Sequence, residues 1–221
     1  MCPKAGRPAR RLCLHAAMLA LGLGFGMTSA WAETLQAKAT DKDGNPMQDV
    51  VIYAMPVGGV ALPASNLPPA TISQEGMQFT PYVTAVKAGT EVKFPNLDKM
   101  PHHVKSFSSA KEFEYKVYEK GTPPPVVFDK SGVVIVYCLF HGWMRAYVMV
   151  VDTPYFAKTD DTGVIKLDGL TKGDYEIKAW HPDMGAMIPA LSQTIKVGDK
   201  GVPELKFNFS FIAKKRKPAK L

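Results

Sequence analysis

Short stretches rich in Val, Ile, Phe and Tyr recur along the chain, and segments holding Gly, Pro, Asn and Asp separate them. Asp43–Pro46 and Lys172–Asp174 are two such turn segments. Short apolar stretches bounded by turns predict β-strands, and no segment has a convincing amphipathic-helix pattern. The chain is therefore predicted to be all-β, built from sandwiches or Greek-key barrels. The clearest predicted strands are Val50–Ala54, Val83–Val86, Glu91–Phe94, Val133–Cys138, Ala146–Val151, Tyr175–Trp180 and Leu205–Phe211.

The first 32 residues have the layout of a secretory signal peptide. A basic start with no acidic residue precedes an apolar run over 12–27, and Ala30-Trp31-Ala32 is a small-x-small cleavage signal. The apolar run is shorter than the roughly 20 residues of a membrane span, and no later stretch qualifies. We therefore expect a periplasmic mature chain without a transmembrane segment, while the export route, general or twin-arginine, stays open.

Charge is unevenly distributed along the chain, whose formal net charge is +7. Four Lys/Arg lie in residues 1–32 and five in residues 214–221, so residues 33–213 carry a net charge of −2. The body is therefore not basic, and binding of nucleic acid is not indicated. The segment 213–221 is expected to be a disordered basic tail, with weak contact to an acidic partner or membrane surface as the alternative.

The mature chain keeps a single cysteine, because Cys2 and Cys13 leave with the signal peptide. An unpaired cysteine in an oxidising compartment is exposed to oxidation and intermolecular pairing unless something occupies it. Cys138 could be an inert core residue, or a nucleophile activated by His141. Nucleophilic catalysis would need an orienting group and an oxyanion site, and no such motif is present. We therefore expect no enzymatic activity.

A metal site accounts for Cys138 better. Cys138, His141 and Met144 lie within one short connection between two apolar strands. Thiolate and thioether are soft ligands, and a His2Cys set with a weak axial Met is the blue-copper arrangement. Structural zinc usually takes four Cys/His ligands and no Met, which argues against zinc. A second histidine has to come from elsewhere, and the pair His102 and His103 offers one.

Residues 95–104 together with 137–144 resemble the cupredoxins of the plastocyanin and amicyanin kind. In that family an Asn-containing strand leads to "P-H-N-V", and a "Y-C-x-x-H-x-x-M" loop closes the site. The fuller pattern resembles the methylamine utilisation protein-like cupredoxins. The resemblance implies a Greek-key sandwich over 70–152 and one type 1 copper. It also implies the ligands, which are His102, Cys138, His141 and Met144.

Many relatives have Asn after the first histidine, where it supports the cysteine loop by a hydrogen bond, and this chain has His103 there. Counting from Asn96 favours His102 as ligand with His103 in the Asn role, and Asn96 itself supports the site. Counting from Phe107 would make His103 the ligand. The resemblance also makes His141 the electron port. The apolar residues expected around it are Met100, Pro101, Phe140 and Trp143.

The flanking pieces resemble the two halves of a small carboxypeptidase-regulatory or transthyretin-like β-sandwich. Residues 40–52 match its opening strand, and 159–175 match a later hairpin and strand. This predicts a discontinuous sandwich over 33–65 and 153–212, interrupted by the inserted cupredoxin domain. The alternative is two consecutive sandwiches, with 33–65 adding edge strands to the first.

The sequence thus predicts a copper protein that transfers single electrons to and from a transient redox partner. Two alternatives remain. One is a copper-delivery module. The loop His181–Met187 would favour this role if its soft ligands bind Cu(I) instead of only supporting the fold. The other is a scaffold sandwich with a vestigial site.

Overall fold

The computed structural model describes residues 33–59, 61–65, 68–186, 190–198 and 201–214. The predicted signal peptide, nearly all of the basic tail and Met187 lie outside these residues. Within them the chain forms strands and one 3-10 helix at Pro182–Met184, so the all-β prediction is confirmed. No helix in this part has the length and hydropathy that crossing a membrane requires. The strands are β1 (Glu33–Thr40), β2 (Val51–Val57), β3 (Ala70–Thr71), β4 (Ser73–Glu75), β5 (Gln78–Thr80), β6 (Val83–Lys87), β7 (Thr90–Lys93), β8 (His102–Ser108), β9 (Lys111–Tyr118), β10 (Val126–Phe128), β11 (Gly132–Tyr137), β12 (Arg145–Val151), β13 (Phe156–Lys158), β14 (Val164–Leu170), β15 (Gly173–Trp180), β16 (Leu191–Val197) and β17 (Leu205–Asn208).

The strands between residues 70 and 151 pair among themselves. Five of them form a sheet in the order β6-β12-β11-β8-β9, in which β6 and β12 are parallel and the other pairs are antiparallel. A second sheet has the order β10-β7-β3, and β4 with β5 forms a hairpin. Strands β8 and β11, neighbours in the first sheet, therefore bring the segments that hold His102 and Cys138 side by side.

The strands on either side of this middle region pair with one another. Strand β1 lies between β14 and β17, and the other sheet has the order β13-β2-β15-β16. Strand β2 pairs with β15 through every residue from Val51 to Val57. An interrupted sandwich would give this pattern, in which strands before residue 58 pair with strands after residue 155. The domain bounds themselves stay a prediction.

Two hydrophobic cores meet at strand β12. Ala146, Val148 and Val150 belong to the core of the middle region, together with Cys138 and Met144. Tyr147, Met149 and Val151 belong to the core of the flanking strands. Successive side chains of a strand point to opposite faces, so a strand covered on both faces is apolar throughout. Consequently, the strand that leaves the metal-ligand loop is anchored in both cores.

Candidate metal centre

The loop Cys138–Met144 is closed by its own backbone. Strand β11 ends at Tyr137, which pairs with Arg145 at the start of β12. The Cys138 amide donates to the Met144 carbonyl at 3.1 Å, and the Met144 amide donates to the His141 carbonyl at 2.8 Å. Turn residues escape the alternation of a strand, so several side chains of one loop can face the same point. The short connection therefore places Cys138, His141 and Met144 together at one end of the sheet.

Three donor atoms converge at this end of the sheet. The Cys138 Sγ lies 3.5 Å from His141 Nδ1 and 4.0 Å from His102 Nδ1. All three donors lie within 4.8 Å of one another. Cys138 and His102 are almost fully buried, and the two imidazole rings meet edge to face at 5.0 Å. The structure thus brings His102, not His103, to the thiol.

The spacing of these donors fits a bound metal ion. Metal–sulfur and metal–nitrogen bonds of about 2.3 and 2.0 Å, at angles between tetrahedral and trigonal, put S and N roughly 3.5–3.8 Å apart. Met144 is buried in the same core as Cys138 and adds a thioether to the set. Two imidazoles, a thiol and a thioether are the donors of a type 1 copper site, whereas structural zinc sites do not include a Met ligand. The metal that this donor set fits is copper.

Asp98 orients the buried imidazole. One of its carboxylate oxygens lies 2.8 Å from His102 Nε2. Burial raises the pKa of Asp98, but hydrogen bonds from the Met77 amide, His102 and the Gly76 amide together lower it further, so the net pKa lies below its ordinary value. An ionised carboxylate accepts hydrogen bonds and cannot donate them. The proton of a neutral His102 is therefore on Nε2, which leaves the lone pair of Nδ1 directed at Cys138.

The surroundings of the second imidazole, that of His141, favour its neutral form. Burial lowers the pKa of His141, as does the nearby His102, and Asp98 offsets part of this effect. The neutral ring is the form that binds metals. Unlike His102, the His141 ring is partly exposed. It is therefore the imidazole of the site that another protein could reach.

Asn96 supports the segment that leads to His102. Its side-chain amide donates to the carbonyls of Met100 and Tyr118 at 2.9 and 3.2 Å, and its side-chain oxygen accepts the Asp98 amide at 3.0 Å. These bonds fix the turn from Asn96 to Met100. Asn96 therefore lies where we expected a supporting residue, and it holds Asp98 in place.

His103 has a different partner from the one we expected. Its Nε2 lies 2.8 Å from a carboxylate oxygen of Glu114 on the neighbouring strand β9. Its Nδ1 has no hydrogen-bond partner within the described part of the chain, so it does not take the Asn role towards the cysteine loop. The reason is geometric, because adjacent side chains of a strand point to opposite faces and only His102 faces Cys138.

The apolar residues that we expected around His141 are exposed. Met100, Phe140 and Trp143 have 38%, 61% and 57% of their surface accessible, and Pro101 is exposed as well. The Trp143 ring lies 5.3 Å from the His141 ring, whereas the Phe140 ring lies 6.3 Å from the His103 ring. Leu97 and Leu139, in the same two segments, are also exposed.

His181 belongs to a different local structure. Its Nδ1 accepts the Asp183 amide at 3.1 Å and so caps the 3-10 helix, while Met184 packs in the core of the flanking strands. Met187 lies outside the described residues. The contacts of His181 and Met184 are therefore those of structural residues.

Cys138, His141 and Met144 of one loop, together with His102 of β8, supply the donors of a type 1 copper centre in an all-β fold. Among curated proteins, the chain is similar to amicyanin of Paracoccus versutus. The two are 28% identical over 142 residues, which cover 62% of this chain and 95% of the relative. No protein-family model matches the chain.

Solved structures of the same class overlap with part of the chain. A Cu(I) methionine-to-alanine variant of amicyanin has a TM-score of 0.34 at 23% identity, over 38% of this chain and 82% of its own. A purple cupredoxin from Nitrosopumilus maritimus has a TM-score of 0.34 at 26% identity, over 37% and 99%. The assignment of the site rests on its own side chains.

Proposed function

We propose that the chain is an exported type 1 copper protein that carries single electrons between periplasmic partners. The proposed ligands are His102, Cys138, His141 and Met144. One observation carries the proposal: the buried Cys138 sulfur lies 3.5 and 4.0 Å from two imidazole Nδ1 atoms in a closed loop. The likeness to amicyanin supports it.

Copper would supply the one-electron couple of this site. The side chains supply a fixed arrangement of donors, which limits the rearrangement that accompanies a change of charge. Asp98 holds His102 in the tautomer that presents Nδ1, and the core around Cys138 and Met144 keeps water away from the sulfur. Cys138 would bind as the thiolate, because the thiolate is the form that ligates metals.

The exposed edge of His141 is the proposed electron port. The exposed apolar residues proposed to surround it are Met100, Pro101, Phe140 and Trp143, and such a surface suits a contact that forms and breaks quickly. Interfaces of electron-transfer complexes are at the small end of the range, below about 1,200 Å². The proposed partner is therefore a redox protein with a matching apolar surface around its own redox centre.

The proposed location follows from the N-terminal pattern and the single mature cysteine. The basic start, apolar run and Ala30-Trp31-Ala32 indicate export. A bound metal would keep Cys138 from pairing with other thiols in an oxidising compartment. The basic tail is proposed to stay solvated, with a weak acidic contact as its alternative.

The test of the function uses residues 33–221 loaded with Cu(II). We expect an intense visible thiolate-to-copper absorption and a reversible one-electron voltammetric wave. Cys138→Ser should lose the absorption, whereas His181→Gln should keep it because His181 lies outside the site. Copper binding without this absorption would favour delivery instead of electron transfer, and absence of binding would refute the proposal.

A further inference from the structure

The hairpin turn between β4 and β5 has an unusual backbone. Gly76 and Met77 form its two-residue loop, with φ angles of +60° and +54°. Positive φ at both positions matches a type I′ turn, which usually selects Gly, Asn or Asp. A methionine in this region is disfavoured because its Cβ approaches backbone atoms. A disfavoured backbone that persists next to a functional site suggests that its surroundings hold it.

Asp98 is what holds this turn. The Gly76 amide donates to one carboxylate oxygen at 2.7 Å, and the Met77 amide donates to the other at 2.9 Å. Successive amides that point into one concave turn form a binding place for an anion. The oxygen that accepts the Met77 amide also contacts His102 Nε2 at 2.8 Å. The turn and the buried imidazole therefore share one carboxylate.

The same turn contacts the cysteine loop from its other side. The Trp143 indole Nε1 donates to the Met77 carbonyl at 3.1 Å. The Trp143 ring in turn packs against the His141 imidazole, with 5.3 Å between the ring centres. Within the described residues, this indole bond is the one hydrogen bond that a side chain of 139–144 makes to an element beyond the metal centre.

We propose that the Gly76–Met77 turn is a clasp that sets the positions of both imidazoles. It reaches His102 through Asp98 and His141 through Trp143, which is a positioning residue. The inference rests on the proposed function, since it concerns the geometry of the same centre. The hydrogen bonds of the clasp use only backbone atoms of Met77, while its side chain packs against the core that holds Cys138 and Met144. Another apolar side chain at position 77 should therefore preserve the clasp, whereas loss of the indole donor should not.

The test removes the indole donor and keeps an aromatic ring. In metal-free Trp143→Phe, the amides of Cys138 and Met144 should exchange hydrogen about fivefold faster, the factor that one net hydrogen bond corresponds to. With Cu(II) bound, the variant should show altered copper hyperfine splitting and slower electron self-exchange. Met77→Leu keeps both the backbone bonds and an apolar side chain against the core, and it should match the parent protein in all three measurements.

Gln193→Met is the control. The Gln193 side-chain amide donates to the Lys206 carbonyl at 2.8 Å at an exposed position in the flanking strands, so the variant loses one side-chain-to-backbone hydrogen bond away from the metal centre. It should leave the exchange of Cys138 and Met144 and the copper spectrum unchanged. The clasp is overturned if Trp143→Phe behaves like the parent protein, or if Met77→Leu reproduces the effects of Trp143→Phe.

A protein that does not carry out the proposed function would give different results from a protein without the clasp. The parent protein would then lack the thiolate-to-copper absorption, while hydrogen exchange of the metal-free protein would still report on the clasp. Faster exchange in Trp143→Phe would then support the clasp as a structural brace of the loop. Unchanged exchange would refute it whether or not copper binds.

Discussion

Replacement of Asp98 by Asn tests whether a negative charge behind His102 tunes the site. The carboxylate lies 2.8 Å from His102 Nε2, and only 15% of its side-chain surface is exposed. Asn has one acceptor oxygen in place of two, so the variant removes the charge and also an acceptor for the Gly76 or the Met77 amide. A negative charge near the metal stabilises the more positive oxidised state. We therefore expect the reduction potential to rise in Asp98→Asn.

The size of this rise can be worked out in two ways. Adding the 2.8 Å hydrogen bond, the width of the ring and one metal–nitrogen bond puts the charge about 7 Å from the metal position. At an effective dielectric constant of about 20, one charge at that distance contributes roughly 2.4 kcal/mol, or about 100 mV for one electron. Loss of a partner of a metal-ligating His typically weakens metal binding about 10- to 100-fold. If only the oxidised metal is bound more weakly by this factor, the reduction potential rises by about 60–120 mV.

Protein-film voltammetry at fixed pH and ionic strength measures this shift directly. Asp168→Asn is the matched control, because it removes the same charge from strand β14 in the flanking sandwich, where the carboxylate accepts a hydrogen bond from Thr34. We expect the control to move the potential little, since an exposed charge is screened by solvent and salt. A lower potential in Asp98→Asn, or a shift no larger than that of the control, would refute the reasoning.

Three further predictions concern the ligand, the core and pH. His102→Gln should lose the visible copper absorption and His103→Gln should keep it, because only His102 faces the Cys138 sulfur. Phe128→Ala should lower the free energy of unfolding by about 3–5 kcal/mol in urea titrations, because this ring is fully buried. Phe107→Ala should change it by about 0.5 kcal/mol or less, because the Phe107 side chain is 59% exposed. Burial lowers the pKa of His181, and Asp183 and Asp49 only partly oppose this. As the pH falls through about 6.5, His181 therefore takes up a proton in the unfolded chain but not in the folded chain. The free energy of unfolding of the metal-free protein should decrease in this range, and the decrease should be smaller in His181→Gln.

Each of these three has its own contradicting result. Copper absorption that survives in His102→Gln but not in His103→Gln would reverse the ligand assignment. Equal losses of stability in the two Phe variants would contradict the described burial. If stability decreases equally between pH 7.5 and 5.5 with and without His181, this imidazole does not contribute to the pH dependence of the free energy of unfolding.

The parts of the site that are local in sequence were predictable. Cys138, His141 and Met144 lie within seven residues, and the closing of a short loop between two strands brings them together whatever the rest of the fold does. The short apolar stretches bounded by turn residues likewise predicted strands, although the ends of the strands differ in the structure. The last one ends at Asn208 instead of Phe211.

The parts that depend on tertiary structure were not predictable. Asp98 meets the Gly76–Met77 turn, and Trp143 meets the same turn, only because three distant segments converge. No spacing of residues in the sequence predicts these contacts. The partner of His103 was missed because it depends on the pairing of β8 with β9, where the register shifts between His102 and Val104. A bulge of this kind cannot be placed from propensity alone.

Strand β12 has a consequence for how the protein unfolds. Its side chains belong alternately to two cores, and the Tyr147 ring lies 6.0 Å from the Trp180 ring of the flanking strands. Neither core can lose its order without exposing one face of the strand that begins directly after Met144. Melting should therefore be a single cooperative transition, and metal bound at one end of β12 should raise the melting temperature of both cores together.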